Sequence, residues 1–241
     1  VLPNIALDQL LLLDIETTPA APAIELLPDD MQQLWREKIA KTAPVSGNEE
    51  TAYADRAGIY AEFGKIVCIS VGFFSVENNR YTLRLKSFYD DDESVVLTRF
   101  LELVNKFYAK HPRFQFAGHN IKEFDIPFIC RRSVIHQLSL PQPLQLHGFK
   151  PWEMPMLDTL QLWRFGDFKH YISLKLLTAV MGIDTPKDDI DGSMVARVYW
   201  EQKDLVRIAA YCQKDVLAVA QLLLKFKRLP ALKEEDIVFV K

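Results

Sequence analysis

Two carboxylates, Asp14 and Glu16, close the apolar run 10–13 with one residue between them. A run this short, followed by Thr17, Thr18 and Pro19, predicts a buried strand rather than a helix. Side chains alternate across a strand, so Asp14 and Glu16 share a face while Ile15 points the other way. Two anions side by side repel, and a divalent cation is the compact counter-charge. A strand end that simply reaches solvent is the plainer alternative. A third acid, Asp125, lies in HNIKEFDIPF, where a strand-end loop hands over to a helix, and an N-cap is its ordinary role. Tyr211 and Asp215 stand four residues apart on a long amphipathic pattern, hence on one side of a helix, where a tyrosine–aspartate hydrogen bond is the ordinary reading. Taken together, the three segments supply four carboxylates from distant parts of the chain. That set suits two hard divalent cations, Mg²⁺ or Mn²⁺. No Cys or His cluster has the spacing of a zinc site.

The elements that must position these groups follow from the periodicity. Residues 66–74 form a nearly continuous apolar run, and 81–88 alternate, with a turn expected at Asn78–Asn79. The pair predicts an antiparallel hairpin. Val96, Leu97, Phe100, Leu101, Val104 and Phe107 recur at helical spacing, and a short strand is expected at 114–117. A helix should start near Ile126, with Pro127 in its first turn. Residues 156–162 are expected as one more short strand, and helices over 173–181 and 204–226. The stretch 19–62 reads as an insertion with one helical pattern (Met31, Leu34, Trp35, Lys38, Ile39) and a polar turn around Ser46, Gly47 and Asn48. Strand, hairpin, helix, strand and further helices in that order predict an α/β domain with a mixed sheet. No linker is visible, so residues 1–241 are expected as a single domain.

Composition sets limits. The 241 residues carry 29 Lys+Arg against 32 Asp+Glu, a net charge of −3. That balance excludes tight, metal-independent coating of nucleic acid, because there is no phosphate-neutralising excess. Two bound divalent cations would reverse the sign locally, leaving substrate affinity dependent on metal and weakened by salt. Cys68, Cys130 and Cys212 are far apart and odd in number, which points to small buried residues in a reducing compartment, read as cytoplasmic. The first residues lack a basic leader, and Asp8 and Asp14 cut the apolar run, so neither signal peptide nor membrane span is expected.

The motifs carry a resemblance. LLLLDIETTP resembles the first motif of the DEDD 3′–5′ exonucleases, GHNIKEFDIPFI the second, and YCQKDVLAV the third in its Tyr version. The wording is especially similar to the proofreading exonuclease of family B DNA polymerases. The position that carries a His in the alternative subfamily is Ala210 here. The resemblance implies a ribonuclease H-like fold, a mixed β-sheet flanked by α-helices. It implies that Asp14 bridges two metals, that Glu16 and Asp215 complete the metal holding the attacking water, and that Asp125 supports the second. It further implies that Tyr211 orients that water, and that Thr17, Asn120 and Phe124 lie beside the terminal nucleotide. The implied reaction is two-metal release of nucleoside 5′-monophosphates from the 3′ end of DNA, chiefly single-stranded. There is no room for a polymerase domain, so a stand-alone exonuclease is expected.

Two alternatives stay open: an exoribonuclease, since nothing in the sequence reads the 2′-hydroxyl, and a non-catalytic nucleic-acid-binding module on the same fold. Residues 19–62 could form a helical cover near the substrate groove. Phe63, Trp152, Trp163, Phe165, Phe168 and Tyr171 are candidate stacking surfaces, with 163–171 as the expected substrate-side loop. Asp158, Asp184, Asp188, Asp189 and Asp191 are expected as loop or capping acids, Asp158 with a possible supporting role at the site.

Overall fold

The structure, a computed structural model, describes residues 6–42, 49–77, 80–150, 152–167, 169–183 and 190–240. The expected turn at Asn78–Asn79, the polar stretch Ser46, Gly47 and Asn48, Phe168, and Asp184, Asp188 and Asp189 lie outside these residues.

Among the described residues, six strands form one mixed sheet in the order β5-β4-β1-β2-β3-β6. β1 (Leu10–Pro19) sits inside it, antiparallel to β2 (Gly64–Glu77) and parallel to β4 (Gln115–Gly118). A strand covered on both faces needs apolar residues on both, which is why Leu10–Leu13 reads as a continuous run. β2 pairs in turn with β3 (Arg80–Tyr89), as the hairpin pattern predicts. β5 (Met156–Asp158) extends the parallel side beyond β4.

The two faces of β1 go to different cores. Leu11, Leu13 and Ile15 pack with Phe100, Val104 and Ile129 beneath α3 (Glu93–Lys110) and α4 (Asp125–Ile135). Leu10 and Leu12 pack with Leu83, Leu85, Val216, Val219 and Leu223 beneath the long helix α8 (Leu205–Phe226). Continuing the alternation, Asp14 and Glu16 emerge on the α8 face. Gly72 permits the close seating of that helix, since a Cβ there would stand 2.7 Å from Val216 Cγ1.

The insertion holds two helices rather than the one expected, α1 (Asp29–Thr42) and α2 (Glu49–Arg56). They close a small aromatic core of their own, with Trp35 edge-on to Tyr53 at 5.4 Å and to Phe63 at 5.2 Å. Phe63 is therefore buried packing, not a stacking surface. The strand expected over 156–162 stops at Asp158, whose carboxylate accepts from Leu160 N and caps α5 (Thr159–Arg164). α6 (Leu174–Val180) follows, capped by Ser173. A three-residue helix, α7 (Val195–Arg197), runs into a π turn at Val198–Gln202. Near the end of the chain β6 (Ile237–Phe239) adds to β3 in parallel, an element not expected because three residues show no period. No helix among the described residues is long and apolar enough to cross a membrane.

Gly118 ends β4 at a close approach to β1 and to Ile121. A Cβ there would lie 2.1 Å from Ile121 Cγ2 and 2.8 Å from the carbonyl oxygen of Leu13. The second contact is backbone inside the central strand and has nowhere to go. Gly118→Ala is therefore expected to cost about 2 kcal/mol of stability, read as a lowered urea midpoint at unchanged slope. An unchanged midpoint would mean that the loop after β4 yields freely.

Candidate active site

The C-terminal ends of β1 and β4 point to the same edge of the sheet because the two strands are parallel. Asp14 and Glu16 come from the first, and the loop 119–124 leaves the second to enter α4 at Asp125. α8 crosses the same face and delivers Tyr211 and Asp215. The result is a cleft of about 740 Å³ lined by Asp14, Glu16, Asp125, Asp215 and Tyr211, together with Asn120, Phe124, Tyr171, Lys175 and Asp191. All four acids that the spacing singled out, and the tyrosine, meet there. So do Asn120 and Phe124. Thr17 follows a bulge after Glu16, pairs with Ile66 on β2, and is not among the residues lining the cleft.

The acids are mutually destabilising. Burial pushes the Asp14 carboxyl well above the ordinary range, and Asp215, Asp125 and Glu16 push it further. Glu16 is raised likewise, by burial first and then by Asp215. Asp125 is only 3% exposed and is raised by burial to about 7, with Asp158 and Asp215 adding to the effect and hydrogen bonds from its own backbone and from Ile15 opposing it. Two contacts with β1 relieve this group in part. Cys212 Sγ lies 3.3 Å from Asp14 Oδ2, and Ile15 N donates to Asp125 Oδ1 at 3.1 Å. Asp125 is thus not the N-cap of α4, a place held by Phe124 without a side-chain bond. Its carboxylate instead grips the β1 backbone between Asp14 and Glu16. Oxygen donors from Asp14 and Glu16 and the sulfur of Cys212 lie within 4.8 Å of one another. Crowded, buried carboxylates of this kind fit hard divalent cations, which would cancel the repulsion.

Some contacts at the site were not expected from the sequence. Cys212 belongs to the apolar stripe of α8 by spacing, and only the packing places its thiol on Asp14. His119 bridges two elements. Its Nε2 donates to the carbonyl of Ile172 at 2.9 Å, as a neutral ring with its proton on Nε2 can, and its Nδ1 lies 2.9 Å from the Thr159 hydroxyl, which also reaches the Gly118 carbonyl at 3.1 Å. Burial holds its pKa below the ordinary histidine value, which favours that neutral ring. Tyr171 lies 64% exposed at the cleft, as expected of the 163–171 loop, whereas Trp163 packs beside Leu177 and Leu222. Phe165 and Trp152 are exposed but do not line the cleft. Asp191 caps a 3₁₀ turn through Ser193 N. Among the described residues, none from 19–62 lines the cleft.

A family model described as a predicted 3′–5′ exonuclease related to the exonuclease domain of PolB matches residues 59–237, well over half of the chain. The chain belongs to this family. The exonuclease match includes Asp125, Tyr211 and Asp215 but begins after β1, so Asp14 and Glu16 join the others through the sheet alone. A search of curated proteins finds no match. Among solved structures, the family B DNA polymerase from the hyperthermophilic archaeon Pyrobaculum calidifontis aligns with a TM-score of 0.50 at 16% identity. The alignment covers 89% of this chain and 24% of that one. The likeness is one of fold: a six-stranded mixed sheet flanked by helices, of the ribonuclease H-like type seen in PolB exonuclease domains.

Proposed function

We propose that this exonuclease hydrolyses the terminal phosphodiester at the 3′ end of DNA, with single strands preferred, releasing nucleoside 5′-monophosphates. The observation that carries the reading is the convergence of four carboxylates from three distant segments in one cleft, where Asp14, Glu16 and Asp125 are each raised by burial and by neighbouring charge. Asp14, Glu16, Asp125 and Asp215 would hold two divalent cations, Mg²⁺ or Mn²⁺. Bound there, the cations supply the Lewis acidity that activates water near neutral pH and stabilises a leaving 3′-oxygen.

The protein's own groups do the rest. Tyr211, one helical turn before Asp215, presents a hydroxyl that orients the attacking water without serving as a strong base. Asn120 has a left-handed backbone, with φ of 64°, and a buried side-chain oxygen that finds no hydrogen-bond partner among the described residues. That acceptor, with the Phe124 ring, suits a terminal nucleoside. Tyr171 offers an exposed ring on which a base can stack. Asp125 ties the nucleotide side to the acidic side by holding Ile15 N. We further take residues 1–241 as one exonuclease domain with an insertion at about 19–62, since the sheet recruits β1 and β6 from opposite ends of the chain.

The test is direct. With Mg²⁺ or Mn²⁺, single-stranded DNA labelled at its 5′ end should shorten stepwise, and excess EDTA should stop the reaction. Full activity in EDTA would sink the two-metal reading. Shortening of RNA alone would favour an exoribonuclease, and binding without cleavage a non-catalytic module.

A further inference from the structure

The loop from His119 to Phe124 is strapped along its length to β5 and α5. At one end stands Asp158, 3% exposed at the end of β5 and opposite Gly118 in the sheet. Its Oδ1 accepts from Asn120 N at 2.9 Å and from Leu160 N at 3.0 Å, and its Oδ2 accepts from Lys122 N at 3.1 Å. Beside it His119, the first residue of the loop, meets Thr159 at 2.9 Å. At the far end Arg164, the last residue of α5, pairs with Glu123 at 3.1 Å. Within the strap the loop coils on itself, with Phe124 N bonding Asn120 O at 3.1 Å and Ile126 N bonding Ile121 O at 3.0 Å. The chain passes from there straight into Asp125.

A carboxylate suits this place better than any other side chain. Three N–H groups converge on its two oxygens, and an amide would present an NH₂ to one of them. Asparagine tolerates the left-handed region better than most non-glycine residues, and the bond from its N–H to Asp158 fixes Asn120 there. We propose that Asp158 is a positioning residue of the exonuclease reaction, fixing the seat of the terminal nucleotide at Asn120 relative to the acids at Asp14 and Asp125. This rests on the functional reading given above. It assigns Asp158 no contact with metal or substrate.

Asp158→Asn is the first variant. It keeps the shape, an acceptor for Asn120 and the cap of α5, and turns a donor towards Lys122. With a single-stranded DNA 3′ end and Mg²⁺, its KM should rise about tenfold while kcat stays within about threefold. Affinity for Mn²⁺ alone, followed by the electron paramagnetic resonance of the free ion, should stay within about twofold. A lowered melting temperature with KM unchanged would mean a purely structural role and overturn the proposal. So would a tenfold loss of Mn²⁺ affinity, which would make Asp158 part of the metal site. Glu123→Ala releases the other end of the same strap and should raise KM about threefold, with at most a small fall in unfolding midpoint because the Arg164 side chain it leaves is 9% exposed. It decides the matter if Asp158→Asn does not fold, and an unchanged KM there overturns the proposal. A wild-type protein that does not shorten 3′ ends would sink the functional reading instead.

Discussion

Asp14→Ala and Asp215→Ala are each expected to lower kcat/KM for Mg²⁺-dependent 3′-end hydrolysis by at least about a thousandfold, to background. The two residues come from β1 and α8, so each change removes one wall of the acidic cleft while leaving the other intact. The distinguishing signature lies in stability. Burial and the charges of Asp215, Asp125 and Glu16 disfavour the ionised form of Asp14, so deleting it removes a group whose ionisation the metal-free fold resists. The metal-free variant should unfold no earlier than the wild type. Asp125→Ala should behave differently, inactive and also less stable, because it strips Ile15 N of its buried acceptor. Tyr211→Phe removes only a hydroxyl and should leave Mn²⁺ binding intact with kcat lowered by one to two orders of magnitude. Retention of a tenth or more of wild-type activity by Asp14→Ala, measured at saturating Mg²⁺, would remove Asp14 from the catalytic centre.

The second large effect couples pH to metal. Asp14, Glu16 and Asp125 all have folded pKa values above their unfolded ones, Asp125 at about 7. A raised acid contributes full stability below its unfolded pKa, near 4. As pH climbs towards and past 7, the unfolded chain has already released protons that the folded chain must still give up, and stability falls. Metal-free protein in EDTA should therefore lose stability between about pH 5 and pH 8, by a few kcal/mol in order of magnitude. Divalent cations should restore it, adding about 3 kcal/mol at a hundredfold excess over Kd at pH 8 and much less at pH 5. His119 works in the opposite direction, since its depressed pKa lets stability rise with pH. That term is common to the metal-free and metal-loaded forms and cancels in their difference. Glu93 and Asp92, whose pKa values are lowered, act only below about pH 4.5. Melting temperatures in EDTA and in Mg²⁺ at the two pH values provide the check. A metal increment no larger at pH 8 than at pH 5 would contradict the repulsive cluster.

Much of this was legible in one dimension because strand and helix periods are local properties. Asp14 and Glu16 share a face by alternation, and Tyr211 and Asp215 by helical pitch, whatever the rest of the chain does. The continuous apolar run of β1 likewise announced a strand buried on both faces. Motif wording added a family, with which the match over 59–237 agrees, and a set of expected roles.

Long-range geometry was not legible, because nothing local encodes which faces meet. That Asp125 spends its carboxylate on Ile15 N, 110 residues away, rather than on capping α4 depends on β1 and β4 running parallel side by side. Cys212 reads as one more apolar residue until α8 settles over β1 and puts its thiol against Asp14. Asp158 reads as a cap, which it is, but its hold on Asn120 and Lys122 exists only because β5 pairs with β4. Local spacing by itself determined which acids could act together and on what kind of element. Only the tertiary structure decided which of them share a cleft and what holds them, because a carboxylate's pKa and partners are set by neighbours that the chain brings from far away.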